Sequence, residues 1–100
     1  MGECHLSPRA ESDLDDIWLF VARQSGSIDA ADRVIDSLTD RFWLLAQHSR
    51  IGRRRDHDLR PGLHSFPVGE YVIVYRIEDE DVVILHVKRG SRDIASQLEN

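Results

Sequence analysis

The sequence of 100 residues predicts an α+β fold in which an antiparallel helical hairpin packs on a three- to four-stranded, mainly antiparallel sheet. In the first half, apolar residues recur every three or four positions, which is typical of amphipathic helices. From Leu63 onward they alternate with a period of two, as in strands. Two helices that precede a block of strands favour α+β over an alternating α/β fold. We expect one domain over residues 1–100, with a short N-terminal strand and a short C-terminal helix.

The first helix is predicted to begin at Ser7-Pro8, where a hydroxyl N-cap precedes a proline in the first helical position. It should end near Gly26, which suits a left-handed C-terminal position, and Ser27 can cap the next helix. Its apolar stripe consists of Leu14, Ile17, Trp18 and Val21. Its acidic residues are expected on the other faces, near the positive end of the helix dipole; they are Glu11, Asp13, Asp15 and Asp16.

The second helix is predicted from about Ile28 to about His48, because a second apolar stripe continues at helical spacing. The stripe consists of Ala31, Val34, Ile35, Leu38, Phe42 and Leu45. The break between the two helices is short, and this predicts that they form an antiparallel hairpin.

A polar segment, residues 49–62, separates the helices from the strands and is interpreted as a long connection. Connections of this length are unusual in small domains and are often functional. The predicted strands are a possible edge strand at 3–6, a strand at 63–68 broken by Pro67 and Gly69, one at 70–77, and a central one at 82–87. Ser91 can cap the last helix, which would contain Ile94 and Leu98.

The charges are unevenly distributed along the chain, although the formal net charge is −5. Twelve arginines and one lysine supply the positive charge, and the arginines cluster at residues 50–60 and 89–92. Arginine binds oxyanions through a rigid fork of donors, so this surface would suit an acidic partner. The overall acidity argues against sequence-specific nucleic-acid binding.

Cys4 is the single cysteine and the histidines are scattered, so the sequence predicts no disulfide, no metal site and no cofactor. No apolar run is long enough to span a membrane, and we expect no membrane partner and a cytoplasmic location.

Several short motifs, in order, resemble the ParE branch of the RelE/ParE toxins and cover essentially residues 6–98. They are Leu6-Ser7-Pro8-Arg9-Ala10, Asp13-Leu14, Ile17-Trp18, Ile51-Gly52-Arg53, Arg60-Pro61-Gly62-Leu63, Phe66-Pro67-Val68-Gly69, Tyr71-Val72-Ile73-Val74-Tyr75-Arg76 and Gly90-Ser91-Arg92-Asp93. One departure is Lys88-Arg89, where the family commonly has Leu-His before the glycine.

The resemblance implies the toxin of a type II toxin–antitoxin system, which inhibits DNA gyrase and is neutralised by a ParD-like antitoxin of the ribbon-helix-helix type. One alternative is a RelE-like, ribosome-dependent messenger-RNA endoribonuclease. Such an enzyme needs groups that exchange protons, and arginine is a poor one. No Tyr or His follows Val87, and His86 is interpreted as a strand residue with a satisfied ring. A third alternative is a non-toxic module that only binds antitoxin.

We therefore predict a protein inhibitor with no catalytic residues and two sets of contact residues. The candidate target-contacting residues are Arg53, Arg54, Arg60, Arg76, Arg89 and Arg92. For the Arg53-Arg54-Arg55 run, pairing with Asp56 and Asp58 is an equally good interpretation. The candidate antitoxin-binding residues are Trp18, Phe20, Trp43 and Leu44, for which a wide core face is the alternative. A partner strand at an exposed sheet edge is a further possibility.

Overall fold

The computed structural model describes residues 2–56 and 58–90, and it confirms the α+β architecture, with two helices packed on one five-stranded sheet. The elements in chain order are β1 (Cys4–Leu6), α1 (Pro8–Ser25), α2 (Ile28–Gln47), β2 (Arg53–Arg54), β3 (Leu63–Val68), β4 (Tyr71–Glu78) and β5 (Asp81–Arg89). The helix predicted after Ser91 lies outside the described residues.

The caps of both helices are those that the sequence predicts. The Ser7 hydroxyl accepts a hydrogen bond from the Ala10 N–H at 3.0 Å, and Pro8 opens α1. Gly26 has a φ of 67° and ends α1 by donating its N–H to the Ala22 carbonyl. The Ser27 hydroxyl then accepts from the Ala30 N–H at 3.1 Å. These local bonds define the start of both helices and the end of α1.

The sheet has the strand order β1-β5-β4-β3-β2. Strand β1 is parallel to β5, whereas the other neighbouring pairs are antiparallel. Tight turns join β3 to β4 and β4 to β5, and they contain Gly69 with a φ of 58° and Asp79 with a φ of 57°. Strand β5 lies between β1 and β4, in agreement with its predicted central position.

The sheet has more strands than expected because two residues of the predicted connection pair with β3. Arg53 is the register partner of Ser65, and Arg54 is that of His64. An Arg-Arg pair has no apolar alternation, so β2 could not be recognised from the sequence. Pro67 does not break β3, because it lies beyond the end of β2, where the outer side of β3 has no strand neighbour.

The two faces of the sheet differ in how they are covered. On one face, α1 and α2 bury Tyr71, Ile73 and Tyr75 of β4 in the main core. On the opposite face, which we call the open face, Leu59 and Leu63 are the described residues that pack on Val72 and Val74. The alternation predicted for β4 is therefore correct, and both faces contribute to the core.

The prediction that Asp13 lies on a solvated face of α1 is wrong. Its side chain is buried against β5 and is 6% exposed. Beyond Ile84, β5 has no partner in β1, because the register of β1 ends at Leu6. The Asp13 carboxylate occupies this edge and accepts a hydrogen bond from the Val87 N–H at 3.0 Å. It thereby satisfies a backbone donor that the short strand cannot reach.

Neither helix within residues 2–56 and 58–90 combines the length and the apolar composition that crossing a membrane requires.

Candidate functional site

The segment 49–62, which we call the arginine loop, is attached to the sheet through Tyr75 of β4. The Tyr75 hydroxyl donates to the Ser49 carbonyl at 2.8 Å and accepts from the Gly52 N–H at 3.0 Å. Burial raises the pKa of Tyr75, so the phenol stays protonated and keeps its donor role. A Cβ at position 52 would overlap the tyrosine hydroxyl, and this explains the glycine there.

Three consecutive arginines of the loop have different environments. Arg55 is largely buried, forms a fork-shaped ion pair with Asp58 and donates to the Ser65 hydroxyl at 3.0 Å. The Arg55–Asp58 hydrogen bond raises the arginine pKa. Arg54 is 75% exposed at its side chain and lies 2.6 Å from Asp56. The exposed Arg53 has no ion pair within the described residues.

Asp56 holds the loop closed at its far end. Its carboxylate accepts the Gly62 N–H at 2.8 Å, and this bond, together with Arg54, lowers the pKa of Asp56. Arg55 and, in part, Arg54 therefore form ion pairs within the loop, whereas Arg53 forms none with the described residues.

The register of the strands determines which predicted arginines share a face. Arg53, Ser65, Val74 and His86 lie opposite one another on successive strands and therefore share the open face. Arg76 lies two residues beyond Val74 and faces the same side, where it is 3.3 Å from Glu78. Arg60 is exposed at the end of the loop, near enough to His86 to affect its pKa. The open face thus brings together Arg53, Arg60 and Arg76.

Arg89 is separated from these three arginines. Its guanidinium lies 4.6 Å from the ring centre of Phe20 on α1 and 3.8 Å from the Glu70 carboxylate. A β-bulge between Val74 and Tyr75 shifts the register of β5, and Arg89 pairs with Tyr71 on the helix-covered face. Arg89 therefore lies on the other face of the sheet from Arg53, and its contact with a target stays a prediction. Arg92 lies outside the described residues.

Two histidines on the sheet carry a buried Nδ1 atom that has no hydrogen-bond partner among the described residues: His64 and His86. Burial lowers the pKa of His86, nearby positive charges including Arg60 and Lys88 lower it further, and Asp13 raises it. The expectation that the His86 ring is satisfied is thus wrong at this nitrogen. His86 therefore has a lowered pKa and a buried Nδ1 atom with no partner among residues 2–56 and 58–90.

Lys88, one of the two residues that depart from the motifs described above, forms an ion pair with Asp13. Its ammonium lies 3.1 Å from the Asp13 carboxylate, and the lysine side chain is only 20% exposed. Asp13 therefore binds both the backbone and a side chain of β5, and it attaches α1 to the sheet. Sequence reasoning missed this residue because an aspartate in the first turns of a helix is ordinarily explained by the dipole.

The four candidate antitoxin-binding residues do not form one patch. Trp18 is half-buried and donates its indole N–H to Asp32 at 2.8 Å, which links α1 to α2. Phe20 is 38% exposed under Arg89, and Leu44 is half-buried. Trp43 is 65% exposed and lines a groove of about 420 Å³ between α2 and β1.

The groove beside Trp43 has both apolar and polar lining residues. Its apolar lining includes Cys4, Leu6 and Phe42, and β1 presents its outer edge beside it. Burial raises the pKa of Cys4 to about 11, so the thiol is protonated and behaves as an apolar group. Sequence reasoning also missed three exposed apolar side chains, which are Leu19, Ile28 and Ile51.

Comparison with known proteins identifies the family. The model of the family described as the ParE toxin of type II toxin–antitoxin systems, parDE, matches residues 5–94. The chain is 35% identical to Toxin ParE3 of Caulobacter vibrioides over 98 residues, covering 98% of this chain and 96% of that protein. It is 38% identical to Toxin RelE3 of the same organism over 90 residues, covering 90% and 96%.

Solved structures support the fold. The chromosomal ParDE system from P. aeruginosa contains a chain that superposes with a TM-score of 0.78 at 19% identity, covering 91% of this chain and 98% of that one. The RelBE2 toxin–antitoxin complex from Mycobacterium tuberculosis gives a TM-score of 0.65 at 24% identity, covering 88% and 96%. The chain therefore belongs to the ParE toxin family of type II toxin–antitoxin systems.

Proposed function

We propose that the chain is a toxin that inhibits DNA gyrase and is neutralised by a ParD-like antitoxin of the ribbon-helix-helix type. The observation that carries the proposal is the family match over residues 5–94. Relatives that bear both ParE and RelE names leave two target classes to be separated by experiment.

The surface that we propose for the target is the open face. Arg53, Arg60 and Arg76 are exposed there and are permanently charged, and each can donate two parallel hydrogen bonds to a carboxylate. The loop that bears Arg53 and Arg60 is tied to the sheet through Tyr75, which fixes the backbone next to Arg53. Such a rigid cationic surface fits an acidic patch on a protein target.

The test of gyrase inhibition is a DNA supercoiling assay with purified gyrase and the full chain freed of its antitoxin. We expect inhibition that increases with toxin concentration and is reversed when the antitoxin is added back. Full supercoiling at a large molar excess of folded toxin would contradict the proposal.

A ribonuclease is the second candidate, and His86 is the observation that favours it. Burial lowers the pKa of the imidazole, its buried Nδ1 has no partner in the described part of the chain, and Arg60 lies near it. In a ribonuclease, His86 could accept the proton of a ribose 2′-hydroxyl, and Arg60 could neutralise the phosphate.

Induction of the toxin in cells separates the two candidates. If the chain is a ribonuclease, messages are cleaved on ribosomes, and both His86→Gln and Arg60→Gln abolish cleavage. Arg33→Gln is the matched control, because Arg33 is an exposed arginine of α2. We expect intact messages alongside arrested growth, and His86-dependent cleavage would overturn gyrase as the target.

We propose that the antitoxin covers the groove beside Trp43. Of the four candidate residues, Trp43 is the one whose side chain is mostly exposed, so it can bury the largest new apolar area on binding. Trp43→Ala should weaken antitoxin binding at least tenfold in a calorimetric titration, without loss of stability. Trp18→Phe should instead lower stability, since the Trp18–Asp32 bond joins the helices. Unchanged antitoxin affinity of Trp43→Ala would contradict this assignment.

The alternative of a non-toxic, antitoxin-binding module is tested by expression without antitoxin in the native host. We expect growth arrest, and harmless expression would support the module. The proposed partners act in the bacterial cytoplasm, and we propose this location for the toxin as well.

A further inference from the structure

We propose that the side chains of Glu3, His5 and Asp81 form a surface site that binds a divalent transition-metal ion, principally Zn²⁺. The sequence predicts no metal site, because Asp81 is 76 positions from His5 and no metal-ligand spacing is visible. The parallel pairing of β1 with β5 brings the three residues together. Within the described residues this is the group of three metal-ligating side chains whose ligand atoms lie within 4.8 Å of one another.

The backbone fixes the direction of all three side chains. Cys4 is the register partner of Val82, and Glu3 therefore lies opposite Asp81, while His5 is two residues beyond Glu3. The three side chains consequently emerge on the same face of the sheet. One Asp81 oxygen, Oδ1, accepts the Glu3 N–H at 2.9 Å, which orients the carboxylate and leaves Oδ2 toward the imidazole.

The distances suit a shared cation better than direct hydrogen bonds. The His5 Nε2 atom is 3.5 Å from the Asp81 carboxylate and 3.7 Å from that of Glu3. Tetrahedral Zn²⁺ binds nitrogen and oxygen at about 2.0–2.2 Å, so neighbouring ligand atoms are separated by about 3.4 Å. The His5–Asp81 and His5–Glu3 separations exceed this value by no more than a few tenths of an ångström. A small rotation of these side chains would bring the ligand atoms to the required distance.

The donor set indicates the class of ion. One imidazole and two carboxylates form a mixed nitrogen and oxygen site with charge −2, which suits Zn²⁺ or a similar divalent transition metal better than the all-oxygen sites of Ca²⁺. Three protein ligands leave a fourth position for water or for a ligand from a partner.

A metal bound here would join the start of the chain to the sheet. Glu3 and His5 belong to the β1 segment, whereas Asp81 opens β5, so the ion would hold together the parallel pair that contains only three residues of β1. The same strand forms one wall of the groove beside Trp43. Metal binding would therefore order the edge strand next to that groove.

The test is a calorimetric titration of the full chain, without an affinity tag, with Zn²⁺. We expect one saturable site per chain and a loss of at least tenfold in affinity for both His5→Gln and Glu3→Gln. Glu3→Gln is informative even if another variant folds poorly, because the Glu3 side chain is 79% exposed. His48→Gln is the matched control, since His48 is an exposed histidine at the end of α2.

A second control removes the neighbouring thiol. Cys4→Ser should leave Zn²⁺ affinity unchanged, because Cys4 lies on the opposite side of β1 from Glu3 and His5. The Co²⁺-loaded protein should accordingly show no thiolate-to-metal charge-transfer band. The absence of saturable binding at micromolar Zn²⁺, an affinity unchanged in both the His5 and Glu3 variants, or a site lost in Cys4→Ser would each overturn the proposal.

Discussion

The two faces of the sheet are built from the same strands but are covered to different extents. The helix-covered face is apolar and closed, with Leu38, Ile73 and Tyr75 fully buried. The open face has two buried valines packed against Leu59 of the arginine loop and Leu63 of β3, and it also carries the exposed Arg53, Arg60 and Arg76. This comparison indicates that one face supplies most of the stability, which leaves the other face able to present arginines without weakening the fold.

The largest expected effect is on the helix-covered face. Leu38→Ala should lower the free energy of unfolding by about 2–5 kcal/mol, because it leaves a cavity in a closely packed core. Leu63→Ala on the open face should cost only about 1 kcal/mol, since Leu63 is half-buried. Urea denaturation of both variants checks the difference. Equal losses would show that the open face supplies as much stability as the closed one.

The next largest effect is expected where Tyr75 attaches the arginine loop to the sheet. Tyr75→Phe should cost about 1–3 kcal/mol, because the Gly52 N–H and the Ser49 carbonyl lose their partner. Amide hydrogen exchange should accelerate at Gly52.

Tyr71→Phe is the control for this variant, as Tyr71 lies at the other end of β4, beside Glu70 and Arg89. An arginine loop with unchanged exchange in Tyr75→Phe would show that the hydroxyl does not hold it.

Stability should also depend on pH through the buried histidines. Burial lowers the folded-state pKa of His64 and His86, so the unfolded chain binds protons at a higher pH than the folded one. Stability is therefore fully present above the unfolded value of about 6.5 and falls as the pH drops from there toward the folded pKa. Urea denaturation at pH 7.5 and 5.5 measures the loss.

His64→Gln should reduce this pH dependence, whereas His48→Gln, at an exposed position, should not. The lowered pKa values of Asp56 and Asp81 act below about pH 4, outside this range. A pH dependence that is identical in the wild type and in His64→Gln would show that His64 does not contribute.

The smallest effect on stability is expected on the open face itself. Arg76→Gln removes an exposed ion pair with Glu78 and should change the free energy of unfolding by less than about 1 kcal/mol. Thermal and urea denaturation check this value. A larger loss would mean that Arg76 supports the fold, and a loss of toxicity in the variant could then not be assigned to target contact.

The sequence distance over which each contact acts explains what could be predicted. Ser7, Gly26 and Ser27 act through bonds to residues three or four positions away, so the caps and bounds of both helices were predictable. The alternation in β4 likewise predicted two faces. Strand β2 and the role of Asp13 were not predictable, because both depend on pairing with distant residues.

The candidate site was predictable in composition but not in arrangement. The sequence identified the arginines, yet only the register and the bulge at Val74/Tyr75 separate Arg89 from Arg53. Similarly, Arg55 is identical in type to its neighbours but is buried against Asp58 and Ser65. A bulge adds a residue without leaving a sequence pattern, and this limits any assignment of residues to faces.

The most direct test of the account is the supercoiling assay with a toxin that carries Arg53→Gln, Arg60→Gln and Arg76→Gln together. If the open face binds the target, the folded triple variant loses inhibition of gyrase by at least tenfold while its antitoxin affinity is retained. Arg33→Gln, which removes an exposed arginine of α2, should inhibit like the wild type. Wild-type inhibition by the triple variant would contradict the central claim that this face carries the activity.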